Sequence, residues 1–281
     1  MEKVGTEVTP PPISLMNRDL KEEYSVQTPL SAIAMYNILY MKQSLKEITE
    51  KLMLAAKRAK AHIESHYEQK AMFYAEKTGE RYEPNVTVNI LMYDELYKEA
   101  VKRMGKEEVE RRIRLLMTNR NEGDRDFSTS LVQDLASLCK DLAPMIVLFF
   151  SPPYYPAVSS EDDAIITDVT KQIQEEVRLQ FNLELEKVQF FPGLSDLSFI
   201  GRRTSNESLH LLKQNMPIHG KGYLLDAVEE AVAMPIVNIG PLGKDPHQWT
   251  ERLELTYSFE TLPNILHKTI DYLFLNGKND K

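Results

Sequence analysis

The sequence has 281 residues, of which 42% are apolar and 27% charged, so it is long enough to bury one large hydrophobic core or two smaller ones. Its 34 basic and 42 acidic residues give a net charge of -8, which argues against a nucleic-acid or anionic-membrane surface as the main function. A single cysteine, Cys139, excludes an intrachain disulfide and fits a reducing compartment.

The sequence also indicates where the protein works. The first residues, MEKVGTEVTPPP, contain no apolar segment of the kind found in a secretory signal. The longest strongly apolar run, Met145–Phe150, is far too short to cross a bilayer. We therefore expect a cytoplasmic protein with no membrane partner.

The first half of the chain predicts mixed secondary structure. Residues 1–29 are interrupted by prolines and predict an extended, irregular segment, and the dense apolar residues 30–40 fit either a helix or a buried strand. Ser44 and Glu47 form a capping-box pattern, and apolar residues recur behind it at helical spacing as far as Tyr67. A long amphipathic helix is therefore predicted there.

A strand, three helices and a second strand are predicted next. Alternation over Val86–Met92 predicts a half-buried strand, and a helix capped by Asp94 should follow. Two more helices are predicted over Glu107–Met117 and Ser128–Lys140, and Met145–Phe150 predicts a continuous apolar strand.

The prolines of Ser151–Pro156 and the acidic run behind them predict a domain boundary, so we divide the chain into residues 1–156 and 157–281. Ser160 should cap the next helix, with Ile165 on its inner face. Short strands are predicted over Val188–Phe191 and Pro235–Ile239, neighbours in one sheet. A short helix is predicted over Leu225–Val232, and a closing helix capped by Thr261.

Some reactive side chains have ordinary explanations. His62 and His66 lie four residues apart on the long helix, a spacing that could clamp a metal, but no third ligand follows, which favours a solvated helix face. Cys139 lies between Leu138 and Leu142 with no histidine near it in sequence, which favours a small buried filler over a nucleophile.

The strongest functional pattern lies in the stretch 234–254, MPIVNIGPLGKDPHQWTERLE. An apolar run is followed by two glycines and two prolines that break regular structure, and the resulting loop carries His247 and Glu251. A loop that leaves the end of a buried strand is where α/β enzymes often hold working residues. Asn238, within the apolar run, is a further candidate for lining such a site.

A second pattern of this kind ends at Asp196, in the sequence PGLSD at 192–196. If the preceding strand is buried, Asp196 should point into the same crevice as His247. The alternative is that Asp196 caps a helical segment over Leu197–Ile200. The residues alone leave both interpretations open.

The order Gly-x-x-Gly-x-Asp-x-His-x-x-x-Glu over 240–251 resembles the closing metal-site loop of the M20 family of zinc peptidases and amidohydrolases, most nearly its RocB-type arginine-utilisation branch. GTEVTPPPISL, NRDLKEEYSVQTP, VLFFSPPYYP and FFPGLSDLSF resemble earlier landmarks of the C-terminal half of such proteins. The resemblance implies an α/β fold: residues 1–156 as a lid domain enlarged by helices and 157–281 as part of the catalytic domain. It also implies His247 as a zinc ligand, with Asp196 and Glu251 beside the site.

The sequence departs from the family pattern in its other ligands. M20 enzymes also use a His-x-Asp, a bridging aspartate and a Glu-Glu pair whose first glutamate is the general base. No His-x-Asp occurs here, and the four Glu-Glu pairs, at 22–23, 107–108, 175–176 and 229–230, lie in polar or helical contexts. A catalytic zinc needs about three protein ligands. We therefore assign no catalytic residue and expect weak zinc binding by this chain alone.

Two functions remain open at this stage. The first is the C-terminal portion of an M20-type, RocB-like hydrolase that acts on a small peptide or amide, with a role in arginine or amino-acid catabolism and no activity without an N-terminal half. The second is a non-catalytic interaction module that keeps the lid for self-association. A homodimer, through the lid or the missing half, is compatible with both.

Overall fold

The computed structural model describes residues 1–21, 26–190, 200, 205–225, 234–246 and 248–276. These residues form strands β1 Lys3–Val4, β2 Glu7–Val8, β3 Ile13–Asp19, β4 Ala32–Asn37, β5 Asn89–Met92, β6 Met145–Leu148, β7 Gly243–Lys244 and β8 Arg252–Leu253. The helices are α1 Leu45–Thr78, α2 Tyr93–Met104, α3 Lys106–Thr118, α4 Asp124–Leu138, α5 Ala164–Phe181, α6 Asn206–Asn215 and α7 Leu262–Asn276. A 3-10 turn covers Lys140–Leu142, and a π-helical turn, Tyr257–Thr261, leads into α7. The fold is of the α/β class, which confirms the fold class predicted from the sequence.

The chain forms two compact units. Unit 1 consists of Met1–Glu2, Thr9–Tyr154 and Thr204–Glu229, and unit 2 of Lys3–Val8, Tyr155–Arg203 and Glu230–Lys281. The chain thus passes from one unit to the other within the proline-rich stretch 151–156, and it returns to unit 1 for α6. The assignment of 1–156 as a lid and 157–281 as a catalytic part stays a prediction.

Helix α1 confirms the predicted capping box. The Ser44 hydroxyl accepts a hydrogen bond from the Glu47 N–H at 3.2 Å, and the Glu47 carboxylate accepts one from the Ser44 N–H at 2.7 Å. The Ser44 N–H and hydroxyl both donate to the Glu47 carboxylate, which holds the pKa of Glu47 below its usual value. The helix ends at Gly79, whose φ of 73° is readily adopted only by glycine. Before α1, the apolar residues 30–40 contain strand β4, which pairs antiparallel with β3.

Strands β5 and β6 of unit 1 form a parallel pair, with Asn89 opposite Met145 and Met92 opposite Leu148. A parallel pair needs a crossover, which α2, α3 and α4 provide. Both strands are shorter than predicted because flanking backbone groups bond elsewhere. The Val88 N–H donates to the Glu64 carboxylate of α1 at 2.8 Å, and the Phe150 N–H donates to the Asn215 carbonyl at 2.8 Å.

The core of unit 1 lies among the crossover helices. Leu96 of α2, Val109 of α3 and Phe127 of α4 are almost fully buried. Cys139 is completely buried, which confirms it as a core filler, and burial raises the pKa of its thiol. Helix α4 begins at Asp124, four residues before the predicted start, because the hydroxyl of Ser128 is used inside the helix, where it donates to the Asp124 carbonyl. Asp94 likewise lies within the first turn of α2 and is not its cap.

Unit 2 is built around α5 and α7. Val169, Ile173 and Val177 of α5 and Ile265 of α7 form its buried cluster. Half-buried apolar side chains pack against this cluster: Phe181, Leu185, Ile239, Tyr257, Tyr272 and Leu273. The regular β-structure of unit 2, among the residues described, is confined to the two-residue pairs β1–β2 and β7–β8.

The predicted start of α5 is wrong. Asp163 is the cap, and its carboxylate accepts a hydrogen bond from the Ile166 N–H at 3.0 Å. Ser160 cannot serve because its hydroxyl accepts a hydrogen bond from the Ile236 N–H at 2.9 Å. Ile165 is 52% exposed and does not face inward.

Three further predictions for residues 157–281 are wrong. Described residues 188–190 and 235–239 form no strand, and Val188 and Val237 are exposed, so the two are not neighbours in a sheet. Thr261 is not a cap, because the π-helical turn has already begun at Tyr257. Helix α6 was not predicted. The predicted helix Leu225–Val232 lies, apart from its first residue, outside the described residues.

The helices also bear on membrane insertion. None of the helices described here has both the length and the apolar character that a bilayer span requires.

Candidate functional site

The stretch that carries the strongest sequence pattern forms a β-hairpin in unit 2. Strands β7 and β8 pair antiparallel, with Gly243 opposite Leu253 and Lys244 opposite Arg252. The Glu254 N–H extends the ladder by donating to the Leu242 carbonyl at 2.8 Å. Residues 245, 246 and 248–251 therefore form the described part of the hairpin loop, and His247 falls between them in the sequence.

Local bonds shape the hairpin loop. The Gln248 N–H donates to the Asp245 carbonyl at 3.1 Å, and the Glu251 N–H donates to the Gln248 carbonyl at 3.0 Å, which makes two successive turns. The Asp245 carboxylate and the Arg252 guanidinium form an ion pair at 2.5 Å across the base of the loop. Asp245 has a φ of 55°, a left-handed conformation that aspartate tolerates better than most residues. Loop residue Trp249 is 97% exposed.

Gly243 is needed for the close approach of the two hairpin strands. A Cβ at this position would lie 3.0 Å from the Arg252 carbonyl oxygen of the opposite strand. Real Cβ atoms seldom come so near a backbone oxygen, so a larger residue would push the strands apart. At Gly240, three residues earlier, a Cβ would have no atom within 4 Å. Packing therefore requires a glycine at position 243, the second glycine of the motif, but not at position 240, the first.

The stem of the hairpin is attached to the core of unit 2. Ile239, just before Gly240, packs against the buried cluster of α5 and α7, as does Leu185, which precedes the PGLSD segment. The Met234 N–H donates to the Ile200 carbonyl at 3.5 Å, which joins the chain after PGLSD to the start of the 234–254 stretch. Described residues that precede the two segments with the sequence-predicted site residues thus pack against one core.

Glu7 is a site-supporting residue that the sequence did not reveal. Its two carboxylate oxygens accept hydrogen bonds from the N–H groups of Gln189 at 2.6 Å and Phe190 at 3.1 Å, the last described residues before PGLSD. The side chain of Gln189 in turn donates to the Glu161 carboxylate at 2.8 Å. No local pattern announces these contacts, because Glu7 lies 182 residues from Gln189.

The predicted site residues are placed only in part. His247 and Asp196 lie outside the described residues, so their approach to one crevice stays a prediction. Asn238 is exposed on the stem, between the half-buried Ile236 and Ile239. Glu251 is exposed at the end of the second loop turn. The structure thus brings Asn238 and Glu251 into the hairpin and its stem.

The zinc requirement of this hairpin can be compared only with the donor groups that the structure describes. Over the described ranges, no group of three or more His, Cys, Asp or Glu side chains is arranged to hold a metal ion. Imidazole and carboxylate, the groups of His247, Asp196 and Glu251, are suitable zinc donors, but a complete site needs about three ligands in one place. His62 and His66 are exposed on α1 with ring centroids 6.5 Å apart, as a solvated helix face predicts.

A group of strongly perturbed ionisable side chains, among the residues that the structure describes, lies in unit 1 around Glu110. The Tyr97 hydroxyl donates to the Glu110 carboxylate at 2.6 Å, and burial together with this bond raises the pKa of Tyr97 to about 12. Burial also lowers the pKa of Lys221, whose ammonium donates to the Pro217 carbonyl at 2.8 Å. Tyr93 is 4% exposed, and burial raises the pKa of its hydroxyl. The bond between Tyr97 and Glu110 joins α2 to α3, and the bond of Lys221 to Pro217 lies within the segment after α6, so both have a structural role.

The chain is similar to two known proteins of one bacterium. It is 46% identical over 281 residues to the uncharacterized protein YqjN of Bacillus subtilis, a match that covers 99% of this chain and 51% of YqjN. It is 27% identical to protein RocB of the same bacterium, over 97% of this chain and 49% of RocB. The chain spans about half the length of these relatives. No protein-family profile matches it, and no solved structure does.

These matches confirm the RocB-like relationship that the motifs indicated, at a distant level and over nearly the whole chain. They do not extend to the M20 family as such, so membership of that family stays a prediction. The more similar relative, YqjN, has no described activity.

Proposed function

We propose that this chain is the C-terminal portion of a RocB-like, metal-dependent hydrolase of peptide or amide bonds. The observation that carries the proposal is that described residues preceding both candidate segments pack on one core. Leu185 precedes the segment with Asp196, Ile239 precedes the hairpin with His247, and both pack on the cluster of α5 and α7. A shared anchor is what an active site needs, because catalytic groups must be held in fixed mutual positions.

In this proposal His247 supplies the one imidazole ligand that the chain offers to zinc. A bound zinc ion would polarise the substrate carbonyl and lower the pKa of its water. Asp196 and Glu251 would orient the imidazole or accept hydrogen bonds from it, the usual role of carboxylates next to a ligating histidine. Asn238, exposed on the stem, would offer its amide to a polar group of the substrate. The remaining ligands and the general base would come from a complementary polypeptide.

The substrate class rests on the M20 resemblance. A small peptide or an acylated amino acid presents the amide bond on which such a site acts, and the RocB-like relationship favours a role in arginine or amino-acid catabolism. The composition and the single cysteine predict a cytoplasmic localisation.

The test is reconstitution. The chain is mixed with the half of YqjN that it does not match, produced as a separate polypeptide, and zinc-dependent hydrolysis of dipeptides and N-acyl amino acids is measured. We expect activity only in the mixture and its loss with His247→Ala. The control variant His62→Ala, which changes an exposed histidine of unit 1, should leave activity unchanged. Equal activity with His247→Ala would refute the proposal.

A non-catalytic interaction module is the second candidate, and the observation behind it is the number of apolar side chains that unit 2 exposes. Among the described residues, unit 2 exposes 17 large apolar side chains and buries seven. This surface is compatible with both candidates, because a hydrolase half and a binding module would each need a partner to cover it. Reconstitution separates the two, since only the hydrolase gains activity from the complementary half.

A further inference from the structure

The closing helix α7 has one broad apolar arc, of which one part is buried and the adjacent part is exposed. Its inner side carries Leu262 and Ile265, which are buried against unit 2. Its outer side carries Leu266, Ile270 and Phe274, which are 38%, 51% and 71% exposed. These three residues are four apart and therefore form one stripe along the helix. We call this stripe the outer face of α7.

A helix on a finished protein surface has one apolar stripe and one polar side. In α7 the outer face lies directly beside the inner face, and the polar residues Asn264, His267, Lys268 and Asp271 share the side away from both. The inner and outer faces together span about half of the circumference, which is wider than the stripe of roughly 100° that packing against one core requires. The outer face of α7 thus has the composition of a buried surface.

The composition of unit 2 as a whole leads to the same conclusion. Isolated exposed apolar residues are normal on protein surfaces, whereas contiguous apolar patches mark interaction surfaces. Within its described residues, unit 2 exposes 17 large apolar side chains and buries seven. Burying a side chain the size of Leu or Phe contributes about 1.5–3 kcal/mol. A partner that covers the outer face of α7 would therefore gain a substantial driving force.

The similarity to longer proteins indicates what that partner is. The likeness to YqjN covers 99% of this chain and 51% of YqjN, and the likeness to RocB covers 97% of this chain and 49% of RocB. The counterpart of α7 in these relatives therefore belongs to a protein that contains about as much chain again. We propose that the outer face of α7 docks the polypeptide that corresponds to the unmatched half of these relatives. The inference specifies the contact surface for the complementary half invoked in the proposed function, and rests on it to that extent.

The experiment measures binding and needs no catalysis. The full 281-residue chain is titrated with the separately produced unmatched half of YqjN, and the dissociation constant is determined by calorimetry or sedimentation. We expect a complex of one chain of each kind. Ile270→Asp should weaken it at least tenfold, and Ile270→Asp combined with Phe274→Asp at least a hundredfold, because each places a charge in an apolar contact. Leu115→Asp, on the exposed side of α3 in unit 1 and 54% exposed, is the matched control and should leave the affinity unchanged.

A measurement on the wild-type chain tests the inference without relying on variants that could misfold. When the complex forms, the partner should bury the side chains of α7. Hydrogen exchange of the α7 amides should therefore slow. Absence of a complex, or a complex that the double variant binds as tightly as the wild type does, would overturn the inference. A dimer of this chain that the double variant disrupts would also overturn it, because the occupant would then be a second copy. Binding without hydrolysis supports the docking surface and refutes the hydrolase.

Discussion

Gly243→Ala is the substitution that tests the geometry of the candidate site most sharply, and Gly240→Ala is its control. Both glycines belong to the motif that indicated a functional loop. An alanine Cβ at 243 would lie 3.0 Å from the Arg252 carbonyl oxygen, and at 240 it would meet nothing within 4 Å. The same chemical change therefore perturbs the hairpin at one position and leaves it intact at the other.

The expected cost follows from this contact. Forcing an extra methyl group into a closely packed place typically costs about 1–3 kcal/mol. A glycine-to-alanine change also stabilises the folded state by roughly 0.4–1 kcal/mol, through the unfolded chain, and this gain applies to both variants. The difference between them is therefore about 1–3 kcal/mol in the free energy of opening the hairpin. Since about 1.4 kcal/mol is a factor of ten, the opening equilibrium should change about 5- to 150-fold.

Amide hydrogen exchange measures the opening equilibrium of the hairpin at a single backbone hydrogen bond. The Glu254 N–H donates to the Leu242 carbonyl at 2.8 Å and closes the base of the hairpin. In Gly243→Ala its exchange, followed by NMR, should be about 5- to 150-fold faster than in Gly240→Ala. Equal exchange rates in the two variants would show that the strands do not approach as closely as described, and the explanation for the second glycine of the motif would fail.

Two further predictions concern Glu7 and Tyr97. Glu7→Ala removes the acceptor of the Gln189 and Phe190 N–H groups, so exchange of both amides should accelerate at least tenfold, and unchanged exchange would contradict the anchoring role. The folded-state pKa of Tyr97 is raised from 10.0 to about 12, so the stability it contributes is present in full below about pH 10 and is lost as the pH rises toward 12. Tyr97→Phe should therefore make urea midpoints fall less steeply than in the wild type over that window. Parallel curves would show that its bond to Glu110 does not influence stability.

Features fixed by neighbouring residues were predictable from the sequence. The capping box at Ser44 and the start of α1 depend on contacts within a few residues, and the structure confirms them. The predicted cap at Ser160 failed because its hydroxyl bonds to the Ile236 N–H, 76 residues away. A local pattern cannot show that a capping side chain is used elsewhere.

The sequence predicted which segment carries the candidate site, but it did not predict the secondary structure of that segment. Glycine and proline in 240–246 predicted a break in regular structure, but the two-residue strands β7 and β8 are too short for any periodicity to reveal them. The apolar run 235–239 predicted a buried strand, and it is instead an irregular stem with Val237 and Asn238 exposed. The contribution of Glu7 depends on a contact that spans 182 residues, which no single-sequence pattern contains.

The zinc content of the chain, alone and with the complementary half, tests the central claim most directly. Each sample is dialysed against a slight excess of zinc, and bound metal is measured by mass spectrometry for the wild type, His247→Ala and the control His62→Ala. One imidazole cannot replace the roughly three ligands of a zinc site, so the isolated chain should retain far less than one equivalent. The mixture should retain about one zinc per complex, and only His247→Ala should abolish it. A full equivalent bound by the isolated chain would contradict the account, and so would a mixture whose zinc survives His247→Ala.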